Sequence, residues 1–155
     1  MIDGGLPPGT DGLAREVADL VADLGSRGGL EPVQAYRLRL AADEITTNIV
    51  EHGYRGRPGP VEIDGGVDPD WVWLRIRDTA PPFDPRTHDP TEHLATDPAH
   101  RPAGGCGLFL AFSGVDQFNY DYTDGNCTTL RIRRRPDPSR RGKEVSHRWP
   151  RREHW

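Results

Sequence analysis

Up to Gly53 the apolar residues of this chain recur at helical spacing, and beyond Val61 they alternate, so the sequence assigns its first third to helices and much of the remainder to strands. That switch of period excludes an all-helical or an all-strand fold. Leu13, Val17, Leu20, Val21 and Leu24 mark one face of a first helix over 10–25, with Thr10 or Asp11 as its N-cap and Gly25 as its stop. Residues 26–30 read as a turn. Glu31-Pro32 opens a second helix with proline at its favoured first position, running to about His52. Residues 61–67 and 71–78 read as an antiparallel strand pair joined by an Asp-Pro-Asp turn, the second alternating Val72, Leu74 and Ile76 against Trp73, Arg75 and Arg77. A third helix is expected from 107 to about 115, then strands over 117–123 and 127–133 joined through Asp124-Gly125-Asn126, a hairpin signal. This order predicts an α/β domain of the α+β two-layer type, a mixed, mostly antiparallel sheet with helices on one face.

A chain of 155 residues has the size of one domain. Residues 131–155 hold ten basic side chains against three acidic ones, while the rest holds ten against 21. We therefore divide the chain into a domain over 10–135 and a basic tail over 136–155, whose like charges and prolines predict disorder. Lys143, the only lysine, lies in that tail. A Walker-type P-loop and a eukaryotic-type protein kinase both need a lysine on the phosphates, so both are excluded. No apolar run approaches the roughly 18 residues of a membrane span, and the Gly- and Pro-rich start lacks a charged segment followed by an apolar one; the expected location is the cytoplasm. Cys106 and Cys127 lack metal-ligand spacing.

Three features carry chemistry. Glu44 and Asn48 lie one helical turn apart, within about 40° of each other, and His52 continues the row. The neighbouring stripe Leu38, Ala41, Ile45 and Ile49 must face the sheet, which puts the row at the mouth of a pocket. By spacing alone it reads more readily as a surface polar stripe. Asp78 ends an apolar strand, where a carboxylate can accept a hydrogen bond from an exocyclic amine, although a turn-initiating Asp would look the same. Gly104-Gly105-Cys106-Gly107 precedes the third helix, so free backbone N–H groups meet the positive end of a helix dipole, a phosphate cradle without a lysine or simply a flexible turn. Between them, residues 81–105 form a long Pro-rich loop of the kind that serves as a lid.

Together and in this order, the segments "DEITTNIVEHGY", "DTAPPFDP" and "GGCGLFL" resemble the N-box and two glycine boxes of the GHKL ATPase superfamily, whose fold is the Bergerat ATP-binding fold with a flexible ATP lid. With "DGNCTTL", they are most similar to the anti-sigma-factor serine/threonine kinases of the RsbW type, over about 13–133. The resemblance implies Mg-ATP as cofactor, Asn48 on Mg²⁺, Glu44 as general base, and Asp78 with the residue at Ala80 at the adenine. It also implies that Gly104, Gly105 and Gly107 close on the phosphates. The implied partners are a sigma factor and an antagonist protein of the STAS type, phosphorylated on serine; a homodimer stays open. The chain departs from the family at Ala80, where glycine is usual and a methyl group would narrow the approach to the base. The family's N-terminal strand is missing or reduced to Leu6. The competing function is a nucleotide-binding interaction module without kinase activity. A histidine-kinase catalytic domain lacks its dimerisation helix here, and nucleic-acid contact rests on the tail alone.

Overall fold

The structure, a computed structural model, describes residues 10–85 and 112–135. Helix α1 (Thr10–Gly28) and helix α2 (Pro32–Asn48) precede strands β1 (Val61–Val67), β2 (Trp71–Asp78), β3 (Gln117–Tyr122) and β4 (Asn126–Arg133). The four strands form one sheet in the order β1-β2-β4-β3, every neighbouring pair antiparallel. Residues 112–114 are helical, the described end of the expected third helix.

The turn residues place the strands as their chemistry demands. Asp68 Oδ1 accepts hydrogen bonds from the backbone N–H of Asp70 (2.9 Å) and Trp71 (2.7 Å), closing the β1–β2 hairpin by an Asx turn. In the β3–β4 hairpin Asp124 and Gly125 take φ of 57° and 135°. A Cβ on Gly125 would lie 2.6 Å from the Asp78 carbonyl oxygen, so glycine lets β4 close onto the end of β2.

Two helix boundaries differ from the sequence-based expectation. Helix α1 does not stop at Gly25 but runs to Gly28, because the left-handed residue that ends it is Gly29, at φ 65°. Leu30 N–H reaches Gly25 O (3.0 Å) and Gly29 N–H reaches Ser26 O (3.4 Å), the paired bonds of a Schellman cap. Helix α2 keeps α geometry only to Asn48; Ile49–Gly53 is a π-helical turn, closed by Tyr54 N–H on Ile49 O at 2.8 Å. His52 lies within this widened turn and is exposed, whereas Glu44 and Asn48 are half-buried.

Burial follows the two periods. Leu38, Ala41, Ala42, Ile45 and Ile49 of α2 and its π turn pack with Val17, Val21 and Leu24 of α1 onto Val72, Leu74, Ile76, Leu130 and Ile132 of the central strands. Asp78 and Asn126 continue those inward stripes as their polar ends, opposite each other in the β2–β4 register. On the other face Arg133 stacks over Trp71 (4.5 Å) and Arg75 over Trp73 (5.3 Å). Past β4, the Arg134 guanidinium donates to Gly28 O and Asp68 O, both at 2.8 Å, tying the end of the sheet under α1.

Candidate functional site

The inward stripe of β2 delivers Asp78 to the helix side of the sheet, where it is 6% exposed. Its Oδ1 accepts hydrogen bonds from Asn126 Nδ2 (2.8 Å) and Ala80 N–H (3.0 Å). Among the described residues Oδ2 accepts none. Burial raises the carboxyl's pKa above the ordinary aspartate value, against the pull of those two hydrogen bonds. Asn126, 5% exposed, also donates to Ala80 O (3.0 Å) and Pro81 O (3.2 Å), and its Oδ1 accepts from Phe83 N–H (3.1 Å) and the Tyr120 hydroxyl. Burial raises the Tyr120 pKa as well.

The second half of the site comes from α2. Glu44 and Asn48 share a helix face as the spacing predicts, both half-buried, and neither side chain makes a hydrogen bond among the described residues. Asp43, the neighbouring carboxylate, is on a different face beside Arg39 (3.6 Å), and burial raises its pKa. The structure joins the end of this helix to the loop after Asp78 at two points. Tyr54 Oη accepts a hydrogen bond from Thr79 N–H (2.9 Å) and donates to Pro60 O (2.6 Å). A Cβ placed on Gly53 would lie 2.9 Å from that of Ala80, so the Ala80 methyl group, 5% exposed, occupies space that glycine leaves at the π turn.

Of the residues singled out in the sequence, Glu44, Asn48, Asp78 and Ala80 are thus placed on adjoining elements. Gly104, Gly105 and Gly107 lie outside the described residues, as do most of the 81–105 loop, the 136–155 tail, Leu6 and Cys106. Cys127 is a free thiol. The sequence assigns no role to Tyr120, nor individually to Gly53 and Tyr54 within "DEITTNIVEHGY" or to Asn126 within "DGNCTTL". Asn126 had a visible signal, the hairpin tripeptide, but turn chemistry alone accounts for that pattern.

No group of three or more His, Cys, Asp or Glu gathers among the described residues. A caged metal site is therefore not what they offer. The amide of Asn48, without a hydrogen bond among the described residues, offers the hard oxygen donor that Mg²⁺ favours. No helix among the described residues is long and apolar enough to cross a membrane.

Residues 8–134 match the family described as histidine kinase-like ATPase domain. Serine-protein kinase RsbW of Listeria innocua serovar 6a is 27% identical over 110 residues, covering 68% of this chain and 69% of its own length. The protein of the same name from Listeria monocytogenes serotype 4a aligns with the same identity and coverage. Among solved structures, the Erythrobacter litoralis EL346 blue-light activated histidine kinase is similar with a TM-score of 0.44 and 12% identity, over 77% of this chain and 44% of that one.

Proposed function

This chain belongs to the histidine kinase-like ATPase domain family, and from that membership we propose that it is an ATP-dependent serine/threonine protein kinase acting on an anti-sigma-factor antagonist. The observation that carries the proposal is Glu44, half-buried, one turn before Asn48 on the same face of α2 and without a hydrogen-bond partner among the described residues. A nucleotide-holding module has no use for a carboxylate there, because it repels phosphates; a transferase needs a proton acceptor. The curated relatives named serine-protein kinase add support at the level of the family.

In this reading Asp78 accepts a hydrogen bond from the adenine amine, and Asn48 holds Mg²⁺, which would offset charge on the phosphates. Glu44 takes the proton from the attacking serine hydroxyl as the new O–P bond forms and the bond to the ADP leaving oxygen breaks. Gly104, Gly105 and Gly107 supply backbone N–H groups to the phosphates. The partners are a sigma factor, held by the domain, and a STAS-type antagonist that receives the phosphate, both in the cytoplasm.

The test is a phosphotransfer assay with purified protein, labelled ATP and candidate antagonists encoded in the same genome. Label on an antagonist serine, lost with Glu44→Ala, is the expected result. Tight ATP binding with no transfer to any candidate would favour the interaction module instead.

A further inference from the structure

We propose that Asn126, held by Tyr120, is a positioning residue for base recognition. It fixes Asp78 so that one carboxylate oxygen is committed to the protein and the other is presented to the adenine amine. The inference rests on the reading of Asp78 as the adenine acceptor and goes beyond it by naming what gives that acceptor its orientation.

Hydrogen-bond capacity decides the orientation of Asn126. A carboxamide has two donor hydrogens and an oxygen with two acceptor sites. On one side stand the carbonyl oxygens of Ala80 and Pro81 and the Asp78 carboxylate, of which the carbonyls can only accept. On the other stands the backbone N–H of Phe83, which can only donate. Reversing the amide would break every one of these contacts, so its orientation follows from the chemistry of its neighbours. The Tyr120 hydroxyl donates to the second acceptor site of Asn126 Oδ1 and completes it.

The consequence falls on Asp78. With Oδ1 held by Asn126 Nδ2 and Ala80 N–H, the carboxylate cannot turn without giving up two hydrogen bonds. Oδ2 then has a fixed direction and, among the described residues, no donor of its own. An acceptor with a fixed direction on a largely buried carboxylate is discriminating, because a ligand N–H meets it and a ligand carbonyl leaves it unmet. The same amide holds Ala80, Pro81 and Phe83, so the loop wall beside the base moves with Asp78 or not at all.

The experiment compares Kd for ATP and for inosine triphosphate, whose 6-oxo base lacks the donating amine, with melting curves for every variant. Wild type should favour ATP by roughly 10- to 150-fold, the range for a hydrogen bond to a charged group. Asn126→Ala should bring that ratio to within about threefold of unity, with the loss of ATP affinity larger than any change in inosine triphosphate binding. Asn126→Asp keeps the shape and the acceptor for Phe83 and Tyr120 but sets a second carboxylate against Asp78; it should lose the discrimination at least as fully. Tyr120→Phe, which removes a single hydroxyl, should lower the ratio by a smaller factor with the fold intact. Folded Asn126→Asp and Tyr120→Phe proteins that both keep the wild-type ratio would overturn the proposal and reduce Asn126 to a hairpin tether. A wild type that does not distinguish the two nucleotides, or an Asp78→Asn variant that still does, would instead overturn the assignment of Asp78, and the positioning role with it.

Discussion

At the end of β2 the Asp78 carboxylate is buried, held on one oxygen by two donors and flanked by an amide whose hydrogen-bonding capacity is fully used. On the adjoining helix, Glu44 and Asn48 are half-buried polar side chains with no hydrogen bonds among the described residues. The contrast follows from what each end has to do. Discrimination between bases needs an acceptor that cannot rotate, and a folded protein supplies that by spending hydrogen bonds on it. Proton transfer and metal ligation need lone pairs that are still uncommitted when substrate arrives. On the proposed assignment, the end given to the base is the one whose hydrogen bonds the described residues already make, and the end given to the phosphates is the one they leave open.

The sharpest break of this comparison is Glu44→Ala. If the α2 row is reserved for chemistry, serine phosphorylation should fall by about 10²- to 10⁴-fold, the usual contribution of a positioned general base. ATP affinity should hold or rise by a small factor, since among the described residues the carboxylate makes no hydrogen bond and its charge repels the phosphates. Single-turnover transfer and calorimetry read the two quantities separately. Equal losses in both would mean that Glu44 belongs to binding, and the division between the two ends would fail.

Asp78→Asn acts at the other end and should weaken ATP binding by about 1.5–3 kcal/mol, with transfer of bound nucleotide less affected. Its pH dependence sharpens the point. Burial is the largest influence on Asp78 and raises its pKa, so the folded protein takes up this proton at a higher pH than the unfolded chain does. For stability, the cost of ionised Asp78 is felt in full above the folded pKa, and it is relieved as pH falls through that value. For binding the sign is opposite: acidification neutralises the acceptor, so ATP affinity should begin to fall above the ordinary aspartate range. Asp43, also raised by burial, would contribute to any stability profile. Nucleotide affinity in wild type minus that in Asp78→Asn isolates Asp78, and a difference that stays flat from neutral pH down through the ordinary aspartate range would show that its charge is not used.

The two ends also differ in how far the sequence reveals them. Glu44 and Asn48 are legible because helical spacing is local, and Asp78 because the alternation Val72, Leu74, Ile76 carries its side chain inward. Asn126 is not legible. Its partners Asp78 and Ala80 lie 48 and 46 residues away, and only the β2–β4 register brings them together. Turn chemistry already accounts for Asp124-Gly125-Asn126, and the segment "DGNCTTL" carries a resemblance without giving Asn126 a role. The end of α1 misleads for a related reason: Gly25, Gly28 and Gly29 all invite a stop, and only the one with positive φ provides it. The π turn after Asn48 has no pattern of its own, and it is this turn that sets Gly53 against the Ala80 methyl group.

That methyl group carries the smallest effect, and it tests whether the base end is as finished as its hydrogen bonds imply. From the sequence, alanine where the family has glycine narrows the approach to adenine, and Ala80→Gly should then tighten ATP binding. In the structure the methyl is buried against Gly53, at the point where the π turn meets the loop after Asp78. Ala80→Gly should accordingly cost about 1–2 kcal/mol of stability, from one lost buried methyl group and a more flexible unfolded chain, and change ATP affinity by less than about twofold. Gly53→Ala should be costlier, about 1–3 kcal/mol, since its Cβ would press on Ala80 from 2.9 Å. If the two positions share one methyl-sized space, the double change Gly53→Ala with Ala80→Gly recovers most of that loss, a coupling that urea denaturation of the four proteins measures directly. Additive losses would separate the two sites. An Ala80→Gly protein that binds ATP several-fold more tightly would put the methyl group back at the edge of the base.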